Sequence, residues 1–264
     1  MCGICGKLDL SNRPVPEHLL DAMCRSMAHR GPDDQGILSA PPVGLGHRRL
    51  SIIDLSASGH EPMANEDKTV WLVFNGEIYD FEPLRRMLMR GGHRLRSRTD
   101  AEVLLHLYED EGVDCLNRLN GMFAFALWDA PRQRLWLGRD RMGIKPLCYA
   151  WNGEQFVFGS EIKAILCDPS VPREIDPEGL DLYLTLNYVP APWTLFRGIQ
   201  KLPPGTHLVL EKGELTIHRY WDIPSASGAS GRAGVPSQGT KDPEACRRGL
   251  FDTLDAAVKR RLIS

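Results

Sequence analysis

Paired apolar runs folded about tight-turn signals constrain this chain more than any other feature. "FAFALWDAPRQRLWLGRD" places two runs around Pro131, "LCYAWNGEQFVFGS" two around Asn152-Gly153, and "HLVLEKGELTIHRYW" two around Lys212-Gly213. Turns this short join antiparallel strands, because a parallel pair needs a long crossover. Asn-Gly suits the two positive φ angles of a type I′ turn, so Asn152-Gly153 predicts a tight hairpin. A further β-branched and aromatic run, Thr69 to Phe74, meets a second Asn-Gly at Asn75-Gly76. The dipeptide reads as the end of a strand, and locally it fits a turn as well as a site.

Helical patterns lie between the hairpins. Leu19, Leu20, Met23, Cys24 and Met27 share one helical face, as do Leu84, Met87 and Leu88 before a Gly91-Gly92 stop. Thr99 and Glu102 have capping-box spacing ahead of a Leu-rich stretch. Helices set among antiparallel hairpins, without regular βαβ alternation, predict an α+β fold with layered sheets.

Residues 222–243 are rich in Ser, Gly, Ala and Pro and read as a linker. Asp242-Pro243 then reads as the start of a new helix with an apolar stripe of Leu250, Leu254, Ala257, Val258 and Leu262. One helix is not a domain, so residues 244–264 are expected to open a second one.

The 264 residues suffice for one large domain and part of another. A formal net charge of −2 gives no field that would draw nucleic acid or an anionic membrane surface. No apolar run reaches the ~20 residues of a membrane helix, and the N-terminus lacks a signal-peptide pattern. Seven scattered cysteines read as reduced thiols of a cytoplasmic protein.

The chain opens "MCGICG", with Cys2 and Cys5 two residues apart. A metal site would need two more ligands, and no second C-x-x-C or closely spaced His pair follows. A thioredoxin-like pair needs a preceding strand, for which there is no room. Cys5 fits a small buried residue. Cys2 does not, but it fits a nucleophile. With Met1 removed, its thiol and a free α-amine of pKa near 8 share one residue, and the amine can act as base.

The stretch resembles the glutaminase domain of class II glutamine amidotransferases, members of the N-terminal-nucleophile hydrolases. "HRGPDDQG", "GHRRLSIIDLS", "FNGEIYD", "SRTDAE", "GRDRMGIKPL" and "GSEIKAIL" are similar to asparagine synthetase segments in the same order, and "KLPPGTHLVL" continues the likeness to about residue 210. The resemblance implies a four-layer αββα fold of two antiparallel sheets between helices, with residues 1–221 as the amidotransferase domain. It implies glutamine as substrate and Cys2 as nucleophile, with the Asn75 side chain and the Gly76 amide as the oxyanion hole. Arg49 is implied to take the substrate α-carboxylate, Asp100 its ammonium, and Glu77 to assist. Leu50, Ile52 and Ile53 are implied as further substrate contacts. Arg48 reads as a solvated neighbour of Arg49, and His47 as structural. No cofactor and no metal are expected in this chain.

Asparagine synthetases also carry a domain that adenylates aspartate with ATP and magnesium through an S-G-G-x-D-S loop. That motif is absent from these residues, and "SGASGRAG" lacks its Asp-Ser. The reading is therefore a glutaminase domain supplying ammonia for aspartate-to-asparagine conversion in a longer enzyme, with a homodimer left open. A sugar or peptide acceptor, or a non-catalytic supporting domain, are its rivals.

Overall fold

The structure, a computed structural model, describes residues 1–223 and 242–262. It divides into two units, Met1–Tyr220 and Trp221–Ser264.

The first unit contains twelve strands and five α-helices. The strands are β1 (Gly3–Asp9), β2 (Asp34–Ala40), β3 (Val43–Arg49), β4 (Met63–Ala64), β5 (Val70–Ile78), β6 (Gly121–Asp129), β7 (Arg134–Arg139), β8 (Cys148–Trp151), β9 (Gln155–Gly159), β10 (Ile199–Lys201), β11 (Thr206–Glu211) and β12 (Glu214–Arg219). The helices are α1 (Glu17–Ser26), α2 (Phe81–Gly91), α3 (Asp100–Glu111), α4 (Ile162–Ile165) and α5 (Pro177–Leu186). Two six-stranded antiparallel sheets form, in the orders β10-β8-β9-β1-β3-β2 and β12-β11-β7-β6-β5-β4.

Three apolar cores define the layers. Ile4, Leu8, Val73, Ala126, Leu137 and Phe158 meet between the two sheets. Leu72, Phe74 and Phe125 turn the other way, onto Leu88, Val103, Leu104 and Leu107 of α2 and α3. Cys5 and Val157 pack outward onto Leu20, Met23, Cys24 and Ile165 of α1 and α4. Alternation along each strand feeds one sheet into two cores at once, which gives the four-layer αββα arrangement.

Two local readings need correction. Asn75-Gly76 lies inside β5, with Asn75 opposite Ala124 and Gly76 opposite Phe123. A Cβ at Gly76 would collide with Met122 O and Phe123 Cα, so a glycine is required by the approach of β6 and not by a turn. At Asn152-Gly153 only the glycine has positive φ. Asn152 Oδ1 instead accepts the Glu154 and Gln155 amides, an Asx-type closure. The two-residue turn with both φ angles positive occurs at Lys212 (52°) and Gly213 (83°).

In the second unit, α6 (Pro243–Arg261) is capped by Asp242, whose carboxylate accepts the Glu244 amide, and none of its residues is buried. Residues 224–241, most of the expected linker, lie outside the described residues.

Candidate active site

One pocket gathers Cys2, Arg49, Leu50, Ile52, Ile53, Asn75, Gly76, Glu77 and Asp100. These are all nine residues singled out from sequence. They come from four places: the residue before β1, the end of β3 with the irregular segment after it, the second half of β5, and the first residue of α3.

Cys2 sits immediately before β1, which is buried along its whole length. The Leu50 amide lies 3.4 Å from Cys2 Sγ, and the thiol faces the Leu50 carbonyl at 3.7 Å. Arg30 Nε donates to the Cys2 carbonyl at 3.0 Å, while its Nη1 bonds Glu161. Burial raises the Cys2 thiol above its ordinary pKa, against the lowering by the Leu50 amide. At neutral pH the group is therefore a thiol and needs a base to become a nucleophile. Met1 lines the same pocket, and burial lowers its amine.

Asn75 is fully buried, and neither Nδ2 nor Oδ1 has a hydrogen-bond partner. A buried amide left unpaired costs about 1–3 kcal/mol. Strand pairing fixes the backbone of Asn75, so the orphaned amide is held rigidly at the pocket wall.

Arg48 and Arg49 alternate off β3. Arg48 is half-buried and donates to Gly31 O and Gln35 Oε1, so it is an anchored residue and not the solvated one expected. Arg49 is buried and donates to the carbonyls of Ser56 (2.9 Å) and Asp54. Those bonds tie the guanidinium to the segment that follows β3. Gly59 closes over it: a Cβ there would strike Arg49 Nη2.

Asp100 is the first residue of α3. Its Oδ2 accepts the Ile78 amide at 2.6 Å. Burial raises Asp100 to about 7, with Glu77 adding to the rise and backbone amides opposing it. Thr99 caps α3 through the Glu102 amide, but Glu102 does not complete the capping box. Its carboxylate instead accepts the Arg96 and Ser97 amides and the Ser97 hydroxyl. Ile52 is exposed at the rim, while Glu77 is buried.

Three further buried residues line the pocket: His47, read from sequence as structural, and Glu61 and Lys145, to which sequence reasoning assigns no role. Glu61 accepts the Phe74 amide at 2.5 Å, and burial raises its pKa well above the usual carboxylate range. His47 Nε2 lies 3.0 Å from the Phe74 carbonyl and 3.6 Å from Glu61; burial lowers it to about 3, so it is a neutral donor. Lys145 lines the same pocket, and burial lowers its pKa. "HEP" carries no periodic or motif signal that would have found Glu61, and Lys145 lies within the family-like segment "GRDRMGIKPL" but takes no role from it.

A glutamine amidotransferase domain family profile matches residues 1–221. Glutamine-hydrolyzing asparagine synthetase 3 of Bacillus subtilis (strain 168) is 39% identical over 268 residues, covering 100% of this chain and 42% of its own length. Amidase chyE of Penicillium rubens is 35% identical over 247 residues, covering 93% of this chain and 34% of its own length. The chain thus spans less than half the length of these curated relatives. Among solved structures, a glutamine phosphoribosylpyrophosphate amidotransferase from B. subtilis aligns with a TM-score of 0.60 at 17% identity, covering 83% of this chain and 49% of the other. The likeness is one of fold, two antiparallel sheets layered between helices. With the profile spanning the whole first unit, the chain belongs to the glutamine amidotransferase domain family.

Proposed function

We propose that the first unit hydrolyses glutamine to glutamate and ammonia with Cys2, freed of Met1, as nucleophile. The observation that carries this is Asn75: an amide with no protein partner, held by strand pairing in the pocket that contains the Cys2 thiol.

The α-amine of Cys2 takes the thiol proton, and sulfur attacks the side-chain amide carbon. The carbonyl π pair moves to oxygen. Asn75 Nδ2 and the Gly76 N–H donate to that oxyanion, the charge for which a preorganised donor is worth most. Collapse of the tetrahedral species breaks the C–N bond, and the amine returns its proton to the leaving ammonia. Water then adds to the thioester through a second oxyanion, and the thiol is released with glutamate. Arg49 retains guanidinium N–H groups beyond those used on Asp54 and Ser56, and they take the substrate α-carboxylate. Asp100, with Glu77 beside it, takes the α-ammonium. Leu50, Ile52 and Ile53 border the substrate. His47 and Glu61 position: both hold Phe74, the residue before Asn75.

In the longer protein the ammonia passes to a domain that amidates aspartate using ATP and magnesium. The asparagine synthetase relative, aligned along this entire chain, supports that acceptor. The amidase relative keeps a different acceptor as the second reading. We place the reaction in the cytoplasm, where the seven free cysteines would stay reduced.

The test is ammonia release from glutamine by the mature chain and by Cys2→Ala. Release should be lost in the variant, and undiminished release would overturn the assignment. These 264 residues given aspartate, ATP and magnesium should form no asparagine; formation would refute the division of labour.

A further inference from the structure

A second group of chemistry-bearing side chains lies outside the glutamine pocket. Glu66 is in the turn between β4 and β5, His93 follows the Gly91-Gly92 end of α2, and His106 and Glu109 lie on α3. One ligand atom from each falls within 4.8 Å of all the others. We propose that Glu66, His93, His106 and Glu109 form a structural site for a divalent transition metal of the zinc class.

The orientation of each group carries the argument. His93 Nε2 bonds Asp110 Oδ1 at 2.9 Å, which leaves Nδ1 toward Glu109 Oε2 at 3.7 Å. His106 Nδ1 lies 2.6 Å from the same Oε2 and 3.9 Å from Glu66 Oε2. Glu109 Oε1 is occupied by the Asn65 side-chain amide at 2.7 Å, and Glu66 Oε1 by the Arg94 amide at 3.1 Å. For three of the four residues, then, one polar atom is fixed by a neighbour and the other faces a shared centre. That is how metal ligands are oriented by their surroundings; the Asp110–His93 bond is the carboxylate–histidine arrangement that sets the tautomer of a metal-bound imidazole.

The distances and donors suit such an ion. Tetrahedral ligands at about 2.0–2.1 Å from zinc stand roughly 3.3 Å apart, so the separations of 2.6, 3.7 and 3.9 Å, and the others within 4.8 Å, require the side chains to shift onto a common centre. Two imidazoles and two carboxylates are a borderline donor set that favours zinc, cobalt or nickel over magnesium or calcium. Two imidazole rings with centroids 4.7 Å apart turn their Nδ1 atoms toward one carboxylate oxygen, so the donors already converge on a shared point. The sequence hides the site because its histidines are 13 positions apart and its carboxylates come from two elements. Four protein ligands close the coordination, so the role is structural. The ion would tie the β4–β5 turn and the segment after α2 to α3, about 9 Å along the helix axis from Asp100.

The experiment uses the full 264-residue chain, stripped with a chelator and titrated with cobalt(II), then with zinc. One equivalent of cobalt should give the intense visible band of a tetrahedral site, and zinc should displace it and raise the melting temperature. Glu66→Gln and His93→Asn alter the two ligands that lie outside α3 and should keep the far-UV circular dichroism of the parent. Each should weaken cobalt binding at least about 10-fold and abolish the thermal shift with zinc. No tetrahedral band in the parent, or unchanged affinity in both variants, would overturn the site.

Discussion

The Leu50 amide and the Cys2 sulfur lie 3.4 Å apart, joining the end of β3 to the residue before β1. The contact explains why a terminal residue is held in a pocket, and it makes the amine beside the thiol the group to test. A chain shown by mass spectrometry to retain Met1 has an amide in place of that amine, with no basic lone pair. It should release no ammonia despite an intact thiol. Mature Cys2→Ser should be nearly inactive, and Cys5→Ser should keep most activity, since Cys5 is buried against Cys24 Sγ at 3.7 Å. Full hydrolysis by the Met1-bearing chain would remove the N-terminal mechanism.

Asn75→Ala separates binding from chemistry. It removes a donor used only when the oxyanion exists, so kcat should fall by roughly 10² to 10³ while KM changes little. The native amide has no partner to lose, so the melting temperature should not drop as it does when a paired buried amide is truncated. A fall in stability with unchanged kcat would make Asn75 a framework residue.

Arg49→Lys keeps a positive charge but loses the planar fork, and KM for glutamine should rise by about 10-fold or more. Gly59→Ala offers the same test without touching the arginine. Its Cβ would press on the far end of the Arg49 side chain, which must move. KM should rise there as well, with the fold intact by circular dichroism. Wild-type KM in both variants would take the carboxylate contact away from Arg49.

The hairpins, α1, α2 and the caps of α3 and α6 were legible because each is a local pattern: alternation, periodicity or a turn dipeptide. Asn75-Gly76 was not readable locally. The same dipeptide can close a hairpin or lie in a strand, and what decides here is the partner strand carrying Phe123 and Ala124 about 50 residues on. Cys2 was reachable from its N-terminal position; the other eight candidate residues were reachable through the order of family-like segments and not through spacing, since they come from separated elements. Glu61 and the Glu66–His93–His106–Glu109 group depend on contacts between distant segments, which no one-dimensional pattern encodes.

Asp100 gives the clearest dependence on pH. Burial, then Glu77, raises it to about 7, above an unfolded value near 3.9. Between about pH 4 and 7 the native state therefore binds more protons than the unfolded chain, and stability falls as pH rises through that window. Asp100→Asn lacks this contribution. Parent stability should decline more from pH 5 to pH 8 than that of the variant; Glu61, raised chiefly by burial and further by Asp100, is also relieved in the variant and adds to the difference in the same direction. Substrate binding should run the other way. The ammonium of glutamine selects the carboxylate, so below about pH 7 KM in the parent should rise toward tenfold per pH unit. In Asp100→Asn, KM should be high and lack that slope. Chemical denaturation at the two pH values and initial rates across pH 5.5–8.5 measure both effects. A variant that matches the parent's slopes would remove Asp100 from the ammonium site.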